Sequence, residues 1–255
     1  MLFVAISLSD QAYGMMTLIA IIVDLIMSMA ILKKAIQHKQ SILFIFFLTI
    51  FFTSVAWWPV AIEYVYWIIT GNLFPYASLA ELNVLGIVIS FLAWLYIYMK
   101  VVHHEKPKMM LLILTIYGIF SLSFFIYVIY YVRIAPGAPV KSMIGNEITP
   151  FISDAPDIIL LYAFILLITV LITGLHFSIR SMRVQDNLEV QWKGRFLFIS
   201  FVLYFFGEMD FMSMFFGIEF AVFTRLILIF SSILFYIGFM MPDFMKKLLN
   251  LEEKL

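Results

Sequence analysis

The sequence contains no cysteine. That absence excludes disulfides, thiolate metal sites and cysteine nucleophiles. Charge is scarce as well, at 13% of 255 residues, where a soluble domain carries about 25% to cover its surface. The net charge is zero, which argues against nucleic acid as the main partner. Outside the apolar segments no stretch is long enough to fold alone, so no soluble domain is expected. Gly-x-Ser-x-Gly, HExxH, Walker and dinucleotide fingerprints are missing, and no enzyme is expected. The four histidines, His38, His103, His104 and His176, are read as loop or interface residues. Neighbours in "HHE" at 103–105 point apart on a helix, so no metal is expected there.

What the sequence has in excess is apolar residue. The hydrophobic share is 64% and the mean hydropathy +1.06, so most of the surface is expected to face lipid. A spanning helix needs about 20 mostly apolar residues, and seven segments qualify. They are 13–32, 41–70 (with Pro59 as its expected kink), 78–99, 109–132, 156–179, 194–216 and 218–241. The predicted fold is an all-α seven-helix bundle over residues 1–241, followed by a short amphipathic tail over 242–255. The N-terminal "MLFVAISLSDQ" has no basic leader region and reads as a mature N-terminus.

Lys and Arg set the orientation. Lys33, Lys34 and Lys39 follow the first segment; Lys100, Lys106 and Lys108 the third; Arg180, Arg183, Lys193 and Arg195 the fifth. Lys246, Lys247 and Lys254 lie in the tail. The opposite side has only Arg133 and Lys141. The cation-rich side is read as cytoplasmic, which puts the N-terminus outside, the C-terminus inside and the protein in the cell membrane. Asp10, Glu63, Glu81, Glu147, Asp154 and Asp157 fall on the outer side. Trp57, Trp58, Tyr64, Tyr66, Trp67, Tyr76, Tyr127, Tyr130 and Tyr131 gather there as well. They read as an interfacial aromatic belt or as the walls of an outward pocket for a cation or amine. Glu63, Trp67 and Glu81 would then mark a cavity mouth.

The loop 133–156 carries Pro136, Pro139, Pro150, Gly137 and Gly145, and is either a flexible linker or a lid. At its end Asp154 is expected to cap a helix, with Asp157 near the dipole. Pro242 ends the last span and Asp243 is expected to cap a tail helix. Phe244, Leu248, Leu251 and Leu255 would lay that helix on the inner leaflet or against a partner.

The most informative residues are Glu208, Asp210 and Arg225, embedded in "FFGEMDFMSMFFGIEFAVFTR". With a turn at Gly217, Glu208 and Arg225 lie about 12–13 Å below it on two neighbouring helices. Each charge costs about 3 kcal/mol to insert, against about 0.5 kcal/mol gained per Leu, Ile, Val or Phe, so pairing or protonation must offset them. On a helix Glu208 and Asp210 would sit about 200° apart, leaving one as the partner of Arg225. Asp24 in the first segment is a further member. The group is either a structural pair fixing register or a ligand-binding switch.

No lysine occurs in the last segment, so retinal is not an expected cofactor, and no other is. The stretch "FTRLILIFSSILFYIGFMMPDFMKK", with Arg225 and Pro242, resembles the last helix and exit of receptor-like seven-helix sensor domains of bacteria and archaea. Those domains often precede histidine kinase or cyclase domains. The resemblance implies a receptor-like sensor. With no output domain following in this sequence, the signal would pass to a separate cytoplasmic signalling protein. Beyond the lipid bilayer, the expected ligand is a small molecule or cation from the outer side. Alternatives are a secondary transporter or ion conductor, and a membrane scaffold.

Overall fold

The computed structural model describes residues 6–72, 79–133, 147–149, 152–153 and 157–251. Tyr76, Lys141, Asp154, Lys254, Leu255 and the three loop prolines lie outside them, so the lid, the Asp154 cap and the end of the tail do too. Ten α-helices are described: α1 (Leu8–Gln37), α2 (Ser41–Val55), α3 (Trp58–Thr70), α4 (Ala80–Val102) and α5 (Pro107–Arg133), then α6 (Asp157–Met182), α7 (Leu188–Gly207), α8 (Ser213–Phe216), α9 (Ile218–Met240) and α10 (Asp243–Leu248). A 3-10 turn, Met209–Met212, joins α7 to α8. Within the loop expected to be irregular, Glu147–Thr149 and Ile152–Ser153 pair as a small antiparallel hairpin.

Among the described residues, five helices are long and apolar enough to cross a membrane, or six if α2 and α3 count as one bent span. The segment expected over 194–216 departs from a continuous span. It starts earlier, with Glu189, Lys193 and Arg195 in its first turns, and its α-helix stops at Gly207. The sequence Gly-Glu-Met-Asp explains the stop, because Gly207 is a poor helix former and Glu208 places negative charge at a helix C-terminus.

Six helices close a ring in the order α4, α2, α1, α9, α7, α6, with α6 returning to α4. α5 stands outside it on α4 and reaches α6 by stacking Phe124 on Tyr162, with ring centroids 3.9 Å apart. Inward faces of α1 and α9 mix small and polar residues with apolar ones, while large apolar side chains are also left facing outward. On α1 the buried stripe runs Tyr13, Thr17, Ala20, Ser28, Ile31, Ala35. On α9 it runs Ala221, Thr224, Arg225, Leu228, Ser231, Phe235, Gly238. Met29, Leu112, Ile172 and Phe230 are exposed.

The α2–α3 pair bends by 48°. Pro59 causes the bend from just beyond it: lacking an N–H, it tolerates only the first turn of a new helix. The break therefore falls at Ala56–Trp57, with Pro59 in the first turn of α3. Asn83 of α4 donates to the freed Ala56 carbonyl at 2.8 Å. Gly86 lets α4 approach, because a Cβ there would meet the Ala56 nitrogen and the Phe52 carbonyl oxygen.

The tail also departs from expectation. Pro242, not Asp243, is the N-cap of α10, and no side chain caps it. The expected single apolar face is divided. Met245 and Leu251 are buried with Ile237 and Met241 beside Trp192 and Phe196, while Phe244 and Leu248 remain exposed.

Candidate functional site

Two adjoining features occupy the middle of the ring. The first is a closed cluster around Arg225. This side chain is wholly buried, and its Nη2 donates to Asp210 Oδ2 at 2.5 Å and to the Tyr13 hydroxyl at 3.0 Å. Tyr13 donates to the same Asp210 oxygen at 2.9 Å. The Thr224 hydroxyl lies 3.2 Å from the other carboxylate oxygen and 2.8 Å from the Ala221 carbonyl. The guanidinium carbon sits 3.5 Å from the Trp57 ring centroid and 5.3 Å from that of Tyr13. Nε and Nη1 of Arg225 have no hydrogen-bond acceptor among the described residues. Each buried unpaired donor costs about 1–3 kcal/mol.

Local structure delivers each member. α1 carries Tyr13 and α9 carries Arg225 and Thr224. The 3-10 turn after Gly207 swings Asp210 out of the helical register assumed from the sequence, so the 200° separation does not apply. Gly207 brings α7 against α9, since a Cβ there would strike Leu228. The Pro59 bend turns Trp57 inward onto Arg225, away from the interfacial belt that is one of the two readings of the outer aromatics.

The second feature is a cavity of about 120 Å³. All six ring helices line it. Its wall includes Asp24, Glu208, Tyr204 and Ser232, the hydroxyl residues Thr49, Thr53 and Ser90, and otherwise apolar side chains, among them the rings of Phe46, Phe91, Trp94, Phe201 and Phe235. Asp24 faces the Ser232 hydroxyl, and Glu208 faces the Tyr204 hydroxyl and the Trp57 indole. Both feel the charge of Arg225, although Arg225 and Asp210 are not on the wall.

The four residues singled out as a switch are thus gathered but divided, Asp210 with Arg225 and Asp24 with Glu208. Glu63, Trp67 and Glu81 are not on the cavity wall. Glu63 is buried on α3, Trp67 stacks on Tyr64 with centroids 6.2 Å apart, and Glu81 lies in the first turn of α4. Asp10, expected among solvated acids, is buried in a capping box with Ser7.

Sequence reasoning missed Tyr13, Thr224, Tyr204 and the inward role of Trp57. The stripe Tyr13, Thr17, Ala20, Asp24, Ser28 at helical spacing carried the signal for Tyr13. Trp57 carried none, because its direction depends on a break that Pro59 alone does not locate.

A third polar group joins α4 to α6. The Trp94 indole donates to Thr173 Oγ1 at 2.9 Å, the Tyr98 hydroxyl is 2.8 Å from His176 Nδ1, and Arg180 donates to the Val102 carbonyl at 2.6 Å. Burial, then the charges of His176, Lys106 and Arg180, hold His103 below the ordinary histidine range. Comparison with protein-family models, with curated proteins and with solved structures finds no match to this chain.

Proposed function

We infer that the chain is a receptor-like sensor of the cell membrane, with seven spans, the N-terminus outside and the C-terminus cytoplasmic. It passes the state of its central charges to a separate cytoplasmic protein. The single observation that carries this reading is the incomplete pairing of Arg225. One of its three nitrogens is bonded, two are buried without acceptors among the described residues, and a second carboxylate, Glu208, lies within its electrostatic reach on the cavity wall. A guanidinium so placed has two arrangements available, one on Asp210 and one shared with Glu208. A ligand that occupies Glu208 removes it as a partner for Arg225 and so shifts the balance between the two arrangements. Asp210 sits on the irregular turn between α7 and α9, so the exchange moves these two helices relative to each other. The seven-helix sensor resemblance and the cation-rich loops support the same reading.

The absence of cysteine makes a direct test convenient. Cysteines replacing Lys39 and Gln185 carry spin labels, and the full chain is placed in lipid nanodiscs. Asp210→Asn is expected to create a second population in the distance between the labels. An unchanged distribution overturns the switch, and solute flux in proteoliposomes replaces the sensor with a transporter. Orientation is tested by an impermeant maleimide on intact cells, which is expected to label Asn72→Cys and to spare Lys39→Cys and Gln185→Cys.

A further inference from the structure

The geometry points to a small organic cation, an alkylammonium of about five or six heavy atoms, as the guest of the central cavity, held between Asp24 and Glu208. This identification rests on the sensor reading only for its consequence; binding itself is independent of signalling.

Charge comes first. Three carboxyls, Asp24, Glu208 and Asp210, couple to a single buried guanidinium, and that guanidinium is bonded to Asp210. Among the described residues no lysine or other arginine lines the cavity. The wall is therefore left with negative charge that only protons or a bound cation can balance, and an isolated carboxylate in so apolar a setting is costly.

The wall decides which cation. An inorganic ion needs several oxygen ligands in a tight shell. Here carboxyl and phenol oxygen gathers around Asp24, Glu208, Tyr204 and Ser232, and the rest is mostly aromatic and aliphatic carbon, since the Thr49, Thr53 and Ser90 hydroxyls donate to carbonyls of their own helices. Aromatic faces attract an organic ammonium and also bury its alkyl body. Size sets the limit: an apolar cavity of about 150 Å³ accepts benzene, and 120 Å³ accepts a slightly smaller body. Trp94 on the wall supplies an optical reporter.

The test uses the purified full chain in nanodiscs, titrated with cyclopentylammonium chloride, cyclopentanol and sodium chloride. Tryptophan fluorescence and calorimetry follow binding. Cyclopentylammonium is expected to saturate one site, with cyclopentanol at least tenfold weaker and sodium unable to compete at matched concentration. Asp24→Asn and Glu208→Gln, each nearly isosteric, are expected to weaken the amine at least tenfold while leaving cyclopentanol unchanged. That second titration also shows that the variants are folded. Equal binding of alcohol and amine overturns the charge recognition. Competition by sodium makes the site an inorganic one, and no saturation at 10 mM amine, roughly 2.7 kcal/mol of affinity, overturns the proposal. An amine that binds without altering the Lys39–Gln185 label distance leaves the ligand class standing and removes the sensor reading.

Discussion

The Arg225 cluster and the Asp24–Glu208 cavity contain the same kinds of residue, yet one is filled and the other open. Around Arg225, a carboxylate, a phenol and an indole face close on the charge, and the Thr224 hydroxyl holds the carboxylate. Beyond Trp57, two carboxyls face a cavity walled mostly by apolar side chains, aromatic and aliphatic. The difference shows how a bundle with very few charges can separate structure from recognition: the Asp210–Arg225 ion pair ties α1, α9 and the turn after α7, and Asp24 and Glu208, which have no bonded cation among the described residues, are left for something else.

Breaking the filled side is expected to cost most. Asp210→Ala strands a buried guanidinium, and removing one partner of such a pair costs about 3–5 kcal/mol. Asp24→Asn and Glu208→Gln remove charges without a bonded cation and keep the side-chain shape, so each should cost clearly less than Asp210→Ala or raise stability. Unfolding midpoints of the three variants in one detergent check this. Equal losses would erase the distinction between the two regions.

Next in size is the break that turns Trp57 inward. Gly86→Ala forces a methyl against the Ala56 nitrogen and the Phe52 carbonyl, an overpacking that costs about 1–3 kcal/mol. Because α4 also lines the cavity, the same variant should weaken cyclopentylammonium binding, whereas Gly118→Ala, with nothing near its Cβ, should change neither. Melting curves and titrations of the two variants decide.

Trp57→Leu sharpens the comparison at its border. It removes the aromatic face from Arg225, worth about 1–2 kcal/mol where desolvated, and opens the partition between cluster and cavity. Amine affinity should fall further than for a wall variant such as Phe91→Leu, because Arg225 then competes for Glu208. A larger effect of Phe91→Leu would show that Trp57 does not separate the two.

Much of this was legible in the residues. Apolar runs of spanning length locate the long helices. The cost of charge in lipid singles out Glu208, Asp210, Arg225 and Asp24. Their division was not legible. It depends on α7 ending at Gly207, where a helical projection placed Asp210 on the wrong bearing. It depends also on a break three residues before Pro59, held by Asn83 of a different helix. Both are backbone irregularities fixed by tertiary neighbours, which periodicity does not encode. The same holds for α10, where Met245 rather than Phe244 found the bundle.

The smallest expected effect lies at the charged end, far from both regions. Glu189 of α7 pairs with Lys193 at 2.6 Å and with Lys246 of α10 at 3.1 Å. Burial alone would raise its carboxyl, but the hydrogen bonds and charges of the two lysines outweigh burial and hold it below the ordinary value of 4.5. A lowered folded value means that the contribution is fully present above 4.5 and is lost as pH falls through the lowered value. The groups are partly exposed, so the contribution is below about 1 kcal/mol. Docking of α10 rests mainly on Met245 and Leu251. A fluorophore on Lys247→Cys should therefore lose only a little anisotropy on acidification, and Glu189→Gln should remove that pH dependence while leaving the neutral-pH value nearly intact. A large loss at neutral pH would mean that the ion pairs, not the two apolar side chains, hold the tail, and the contrast between apolar docking there and charge pairing at the centre would fail.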